Sequence, residues 1–114
     1  MKITRFEDIN AWQEARKLVK MVYSVINKSS KFRKDFRLVN QMQDAAVSAM
    51  SNIGEGFARR SNREFIQFLF ISKSSAAEVQ SQLYVRWIKN ISAKIILKKS
   101  IIKPKWYPKW IQAS

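Results

Sequence analysis

Residues 41–85 read QMQDAAVSAMSNIGEGFARRSNREFIQFLFISKSSAAEVQSQLYV. Two apolar patterns meet in this stretch. Leu38, Met42, Ala45, Ala49, Ile53 and Phe57 recur in steps of three and four, the spacing of one helical face. Phe65, Phe68, Leu69, Ser72, Ala76, Val79 and Leu83 do the same further on. Between them, Ser61-Asn62-Arg63-Glu64 has capping-box spacing: Ser61 can accept from the Glu64 amide, and Glu64 can reach back to the Ser61 amide. One helix therefore ends near Arg59 and another starts a residue or two later, so the pair folds back as an antiparallel hairpin. The predicted spans are 37–59 and 62–85.

Both glycines of the chain, Gly54 and Gly56, lie inside the first of these helices. An interior glycine costs roughly 1 kcal/mol against alanine, so two of them need a reason. Close approach of a neighbouring backbone supplies one, and Ala46, Ser48 and Ser51 keep the adjoining surface small. A phosphate-cradling loop is the sharper alternative. Gly54-Glu55-Gly56 is too short a signal for it, since no Lys-Ser/Thr follows.

Upstream, Trp12, Ala15, Val19, Val22, Tyr23 and Ile26 define a further amphipathic helix over residues 8–28. Asp8 is the expected cap, with Thr4-x-x-Glu7 as the other candidate. Lys17, Lys20 and Lys28 fall off the stripe and read as a solvated basic face. A membrane-surface helix is disfavoured by Gln13 and Glu14 on that face. Residues 27–34 are polar and read as a loop, pinned to the core by Phe32 and Phe36. Downstream, residues 86–114 hold eight Lys and Arg, no acid and three of the four tryptophans. They read as a basic aromatic tail. Residues 93–102 have a crude helical pattern, and Pro104 and Pro108 stop anything beyond it.

The fold class is therefore all-α, an antiparallel up-down helix bundle with three clear helices over residues 1–85. Composition agrees. With 114 residues and 46% apolar content, the chain can form one domain with a modest core. Two glycines and two prolines are too few for a turn-rich β fold. The absence of cysteine and histidine removes thiolate chemistry, the commonest general base and the commonest metal ligand. No cofactor is expected. No apolar run approaches the roughly 18 residues a membrane span needs, and no signal-peptide pattern opens the chain, so the expected compartment is the cytoplasm.

Charge points to partners. A formal net charge of +14 favours polyanions, nucleic acid first. Arg59, Arg60 and Arg63 cluster at the helix corner, and with Lys31, Arg33, Lys34 and Arg37 they are expected to form a basic rim able to contact phosphates. No RNA-recognition, KH or zinc-finger pattern is present, so such binding would be electrostatic and weakly sequence-specific.

Carboxylates offer the alternative chemistry. Glu55 and Glu78 are expected on inner faces. A di-metal centre would need Glu-x-x-His pairs, which a chain without histidine cannot supply. A glycosidase-type pair lacks cleft-forming loops. The favoured reading is structural: Ser48, Asn52 and Glu55 share one helix face, Ser75 and Glu78 share another, and an antiparallel pairing would join them in a polar network. Arg59 or Lys73 could supply the compensating charge.

The same residues carry a resemblance. Gln41, Ala46, Val47-Ser48, Ser51-Asn52-Ile53, Glu55-Gly56, Phe65, Phe68-Leu69, Ser75, Glu78 and Gln82-Leu83, with Phe6, Trp12 and Ala15 upstream, resemble a bacterial family of small helical-bundle proteins. These are encoded in intervening sequences of 23S rRNA genes and are also similar to the accessory protein of diversity-generating retroelements. The resemblance covers residues 6–85. It implies a four-helix bundle, a ring-like homopentamer and association with rRNA or other nucleic acid, and no catalytic residues carry over. Two positions depart from the family pattern: Gln43-Asp44 stand where basic residues are common, and Ser74 where glycine is common. The acidic and neutral pair weakens a nucleic-acid role for that face.

The largest departure starts at Val85. The family continues with a motif like Ala-Leu-Asp-x-x-Tyr-Ile and a fourth amphipathic helix, whereas this chain reads Val85-Arg86-Trp87-Ile88-Lys89-Asn90-Ile91-Ser92. Back-translated and shifted by one nucleotide, these codons can spell Ala-Leu-Asp-Lys-Lys-Tyr-Ile. The expectation is a frameshift near Val85 that degrades or removes the fourth helix. The rival is a true tail that binds RNA by charge and stacking. The functional expectation is a non-enzymatic, homo-oligomeric bundle that binds RNA electrostatically. The alternative is a structural or protein-interaction module without a nucleic-acid ligand.

Overall fold

Residues 2–89 are described by the structure, a computed structural model. They form a 3₁₀ turn, Phe6–Asp8, and four helices: α1 (Asn10–Asn27), α2 (Ser30–Arg33), α3 (Phe36–Phe57) and α4 (Asn62–Lys89). There is no strand among the described residues. The chain divides into two units inside α4, one ending at Gln82 and the other starting at Leu83. The first holds the three-helix bundle of α1, α3 and the body of α4. The second begins with the last turns of α4.

The entry into α1 differs from the sequence reading. Asp8 lies in the 3₁₀ turn, and Ile9 precedes the helix with no side-chain cap. The turn is closed by the backbone, with the amides of Asp8 and Ile9 donating to the carbonyls of Arg5 and Phe6. The Arg5 guanidinium lies 3.7 and 3.8 Å from the Glu7 and Asp8 carboxylates. Packing fixes the entry instead: the Phe6 ring meets Trp12 edge-on with centroids 5.5 Å apart, and it lies against Gly54 of α3. Inside α1, Ala15, Val22 and Ile26 are buried, but Tyr23 is exposed. It stands one residue, about 100° of helix, beyond Val22.

The stretch read as a loop contains the single turn α2. Ser29 caps it by accepting from the Phe32 amide at 3.1 Å. Phe32 is 2% exposed and anchors this corner, as expected. Phe36 does not: it is 73% exposed. It opens α3 two residues before the inward-facing Leu38, so its side chain leaves from nearly the opposite side. Asp35 caps α3, accepting from the Leu38 amide at 3.4 Å. Ser61 caps α4, accepting from the Glu64 amide at 3.2 Å.

The α3 stripe forms the centre of the core. Leu38, Met42, Ala45, Ala49 and Ile53 are buried, joined by Ala46 and Gly56. The direction of α4 follows from its partners. Ser48 meets Ser75, Ala49 meets Ser72 and Phe57 meets Phe65, so the chains run antiparallel. At Gly56 the two helices pack tightly. A Cβ there would sit 2.6 Å from the Phe68 Cβ, well inside contact distance, whereas one on Gly54 would meet the Phe6 ring at an ordinary 3.7 Å. Of the two glycines, only Gly56 is demanded by close packing. The fourth-helix region, 90–114, lies outside the described residues. The helix itself runs on through Val85 to Lys89.

Candidate nucleic-acid interface

The seven arginine and lysine positions singled out from sequence are all exposed, but they do not form one rim. Lys31, Arg33, Lys34 and Arg37 lie in α2 and at the α2–α3 corner. Arg59, Arg60 and Arg63 lie at the α3–α4 corner. The whole of α3 separates the two groups. At 1.5 Å per residue its 22 residues place them about 33 Å apart. The sequence placed both groups beside inter-helix turns, but successive turns of an up-down bundle fall at opposite ends. Two of these cations also have local duties. Arg33 donates to the Asn27 carbonyl and ties down the α1–α2 turn. The Arg59 guanidinium lies 4.9 Å from the Phe68 ring centroid, over its face.

A longer basic surface lies elsewhere. Between Glu14 and Asp35 the chain has seven Lys and Arg and no acid: Arg16, Lys17, Lys20, Lys28, Lys31, Arg33 and Lys34. All seven are exposed. Lys17, Lys20 and Lys28 follow helical spacing down the solvent side of α1, away from the buried stripe, and α2 continues the series. Lys17 pairs with Glu14 at 3.2 Å. The signal was present in the sequence as an acid-free run of 20 residues. The apolar stripe of α1 runs through the same residues and is the stronger periodic signal.

The polar positions sort differently from the expected network. Ser48, Asn52 and Ser75 come together at the α3–α4 seam: Ser48 Oγ and Ser75 Oγ are 2.9 Å apart, and Asn52 Nδ2 donates to Ser48 Oγ at 2.9 Å and to its carbonyl at 2.8 Å. Ser72 joins from α4, donating to the Ala49 carbonyl. Glu55 and Glu78 are exposed, not inward-facing. Glu78 accepts from Gln82 Nε2 at 3.2 Å. The reason is length and charge. Hydroxyls and an amide can satisfy one another inside the narrow seam, whereas a carboxylate is better kept in water. Gln82 is nearly buried, and its Oε1 has no hydrogen-bond partner.

Among the described residues no three His, Cys, Asp or Glu side chains gather as a metal site. No helix among them is long and apolar enough to cross a membrane. What the geometry defines is a small, strongly basic, all-α bundle with a cationic face along α1 and α2 and a hydroxyl-lined seam between α3 and α4.

The sequence matches the family described as 23S rRNA-intervening sequence protein over residues 7–100, and the chain belongs to that family. The match runs past Val85 and past the end of α4, further than the 6–85 span legible from motifs alone. No curated protein and no solved structure matches the chain.

Proposed function

We propose that this protein is a non-enzymatic, self-associating bundle that binds RNA by charge, using the α1–α2 face. The observation that carries the reading is the run of seven exposed cations without an acid between Glu14 and Asp35. Regularly spaced cations on a rigid helix can follow a phosphate backbone, releasing a counterion at each contact. The family's description supplies the candidate target, 23S rRNA around the insertion. The non-enzymatic reading rests on a chain without histidine or cysteine and on carboxylates that face solvent. Self-association is supported by the family resemblance and by exposed apolar side chains such as Val47 and Ile71.

The test is a salt titration of binding to 23S rRNA fragments, comparing the wild-type chain with Lys17→Gln/Lys20→Gln/Lys28→Gln. Each phosphate contact contributes about 0.7–0.9 to the slope of log K against log salt. The triple variant is expected to lose about 2 to 3 units of that slope. An unchanged slope would move the binding off α1. No salt-dependent binding by the wild-type chain would favour the alternative, a protein-interaction module without a nucleic-acid ligand. Sedimentation at several concentrations tests self-association in the same samples.

A further inference from the structure

Exposure alone says little about an apolar side chain, but its neighbours do. Two aromatic rings of this chain stand in solvent among cations. Tyr23 is 39% and Phe36 73% exposed, and Phe36 is the most exposed large apolar side chain among the described residues. Phe6, Trp12, Phe57, Phe65 and Phe68 each have a ring or a guanidinium against them, whereas Tyr23 and Phe36 have neither among the described residues.

Both rings belong to one end of the bundle. Phe6, just before α1, packs on Gly54 near the end of α3, so these two helices run antiparallel and the end of α1 lies beside the start of α3. Tyr23 is four residues, about 6 Å of helix axis, from the end of α1, and Phe36 opens α3. On α1, Arg16, Lys20, Tyr23 and Asn27 recur in steps of four, three and four along one exposed flank. Tyr23 stands about 120–180° round the helix from Ala11, Glu14 and Leu18, which line the cleft between α1 and α4. A helix lying in that cleft leaves the Tyr23 ring uncovered.

The charge around the rings has one sign. Lys20, Lys28, Lys31, Arg33, Lys34 and Arg37 are all exposed at or near this end. Between Glu14 and Asp44 the one acid is Asp35, and its carboxylate caps α3 at the Leu38 amide. Cations alone hold any nucleic acid, paired or not. Rings add a requirement that a duplex does not meet, because its bases are stacked on one another and the deep major groove of A-form RNA is closed to side chains. An unpaired base offers its face, and aromatic side chains beside phosphate-binding cations are the usual means of holding a single strand.

We infer that the α2 end of the bundle is a binding site for single-stranded RNA, in which Tyr23 and Phe36 stack on unpaired bases while the surrounding cations hold the phosphates. This rests on the electrostatic reading above and narrows its ligand from RNA in general to unpaired segments. Six cations round two rings suit a polyanion better than a second copy of this chain, which would bring the same charges against them.

The experiment titrates the full chain into a fluorescein-labelled RNA strand of about 12 nucleotides containing only U and C, and into the same strand paired with its complement. Anisotropy is read across a salt series. Tyr23→Leu/Phe36→Leu removes both rings and no charge. It is expected to weaken binding of the strand by at least about tenfold, about 1.4 kcal/mol, and to leave the duplex within about twofold of wild type. The slope of log K against log salt should not change, because the phosphate contacts remain. Tyr23→Phe/Phe36→Tyr, which keeps two rings, should bind the strand like wild type. Equal weakening of strand and duplex, no weakening of either, or a ringed variant no better than the leucine one would overturn the inference and leave the electrostatic reading standing. Failure of the wild-type chain to bind either RNA would remove both. Sedimentation of the same samples covers the rival occupant: unaltered RNA binding with a smaller oligomer in the leucine variant would place the rings in a contact between protein chains and overturn the inference.

Discussion

The two glycines of α3 predict substitutions of opposite sign. Gly→Ala in a helix interior gains roughly 1 kcal/mol from backbone entropy, wherever the new methyl has room. At Gly54 it has room. The nearest atoms are those of the Phe6 ring at 3.7–3.8 Å, ordinary van der Waals contact. Gly54→Ala should therefore stabilise the chain by up to about 1 kcal/mol. At Gly56 the new methyl would meet the Phe68 Cβ at 2.6 Å, the Phe65 Cδ1 at 3.0 Å and the Phe68 Cγ at 3.2 Å. The nearest of these is no flexible end. A Cβ is fixed to its own backbone, so relief requires α3 and α4 to move apart. Overpacking of this kind costs about 1–3 kcal/mol, and the upper part of that range applies when backbone must shift. After the propensity gain is set against it, Gly56→Ala should destabilise by about 1–2 kcal/mol. The two variants should thus differ by about 2–3 kcal/mol.

Urea unfolding followed by far-UV circular dichroism measures this directly. With a slope of about 1–3 kcal/mol per molar urea, the two midpoints should separate by about 1 M or more, on opposite sides of wild type. All three proteins should be compared at one protein concentration, because self-association would make the midpoint concentration-dependent. A Gly56→Ala protein as stable as wild type would show that α3 and α4 are not this close. Parallel shifts of both variants would show that helix propensity alone governs both positions.

Four further outcomes follow from the same geometry. Ser48→Ala should cost about 1–2 kcal/mol because it strands the Ser75 hydroxyl and leaves the Asn52 amide only its bond to the backbone carbonyl of residue 48, and a Ser48→Ala/Ser75→Ala cycle should show coupling of about 0.5 kcal/mol or more in urea melts. Ser61→Ala should cost about 1 kcal/mol through loss of the Glu64 amide cap, and Ser61→Asp should restore it in the same melts. Glu55→Ala and Glu78→Ala, being exposed, should leave the unfolding of dilute protein within about 0.5 kcal/mol of wild type, so a change in oligomer size by sedimentation would place them in a subunit contact. For residues beyond Val85, the gene itself is the assay: a frameshift requires the reading frame one nucleotide away to stay open and to encode Asp from the Trp87 and Ile88 codons.

The long helices were legible because their information is local. Leu38, Met42, Ala45, Ala49 and Ile53 announce a face by spacing alone, and Ser61 and Glu64 announce a start by their separation; both readings hold to within a residue or two of the α3 boundaries and of the start of α4, while α4 runs four residues beyond the predicted end at Val85. The entry to α1 was not legible. Asp8 and Thr4 both look like caps, and what decides between cap and 3₁₀ turn is the contact of Phe6 with Trp12 and with Gly54, more than 40 residues away. Phe36 was misread for a related reason: hydrophobicity marks a residue as a candidate for burial, but a helix start fixes its direction only once Asp35 is known to be the cap.

The surface was hardest to read, and for a physical reason that bears on function. Whether two charge clusters act together depends on which end of the bundle each occupies, and this is a property of chain direction. In an up-down bundle alternate corners lie at alternate ends, so Arg33 and Arg59, each beside a turn, are held a full helix apart. Charges along one helix escape that rule, because their relative positions are fixed by the helix itself. Arg16, Lys17 and Lys20, all within α1, are therefore the stronger start of a phosphate track. The carboxylates show the complementary case. Glu55 is seven residues from Ser48 and shares its side of α3, yet Ser48 closes the seam with a short hydroxyl while Glu55 stays in water. Spacing assigns a side of the helix; side-chain length and the cost of burying charge decide which residues on that side enter the core.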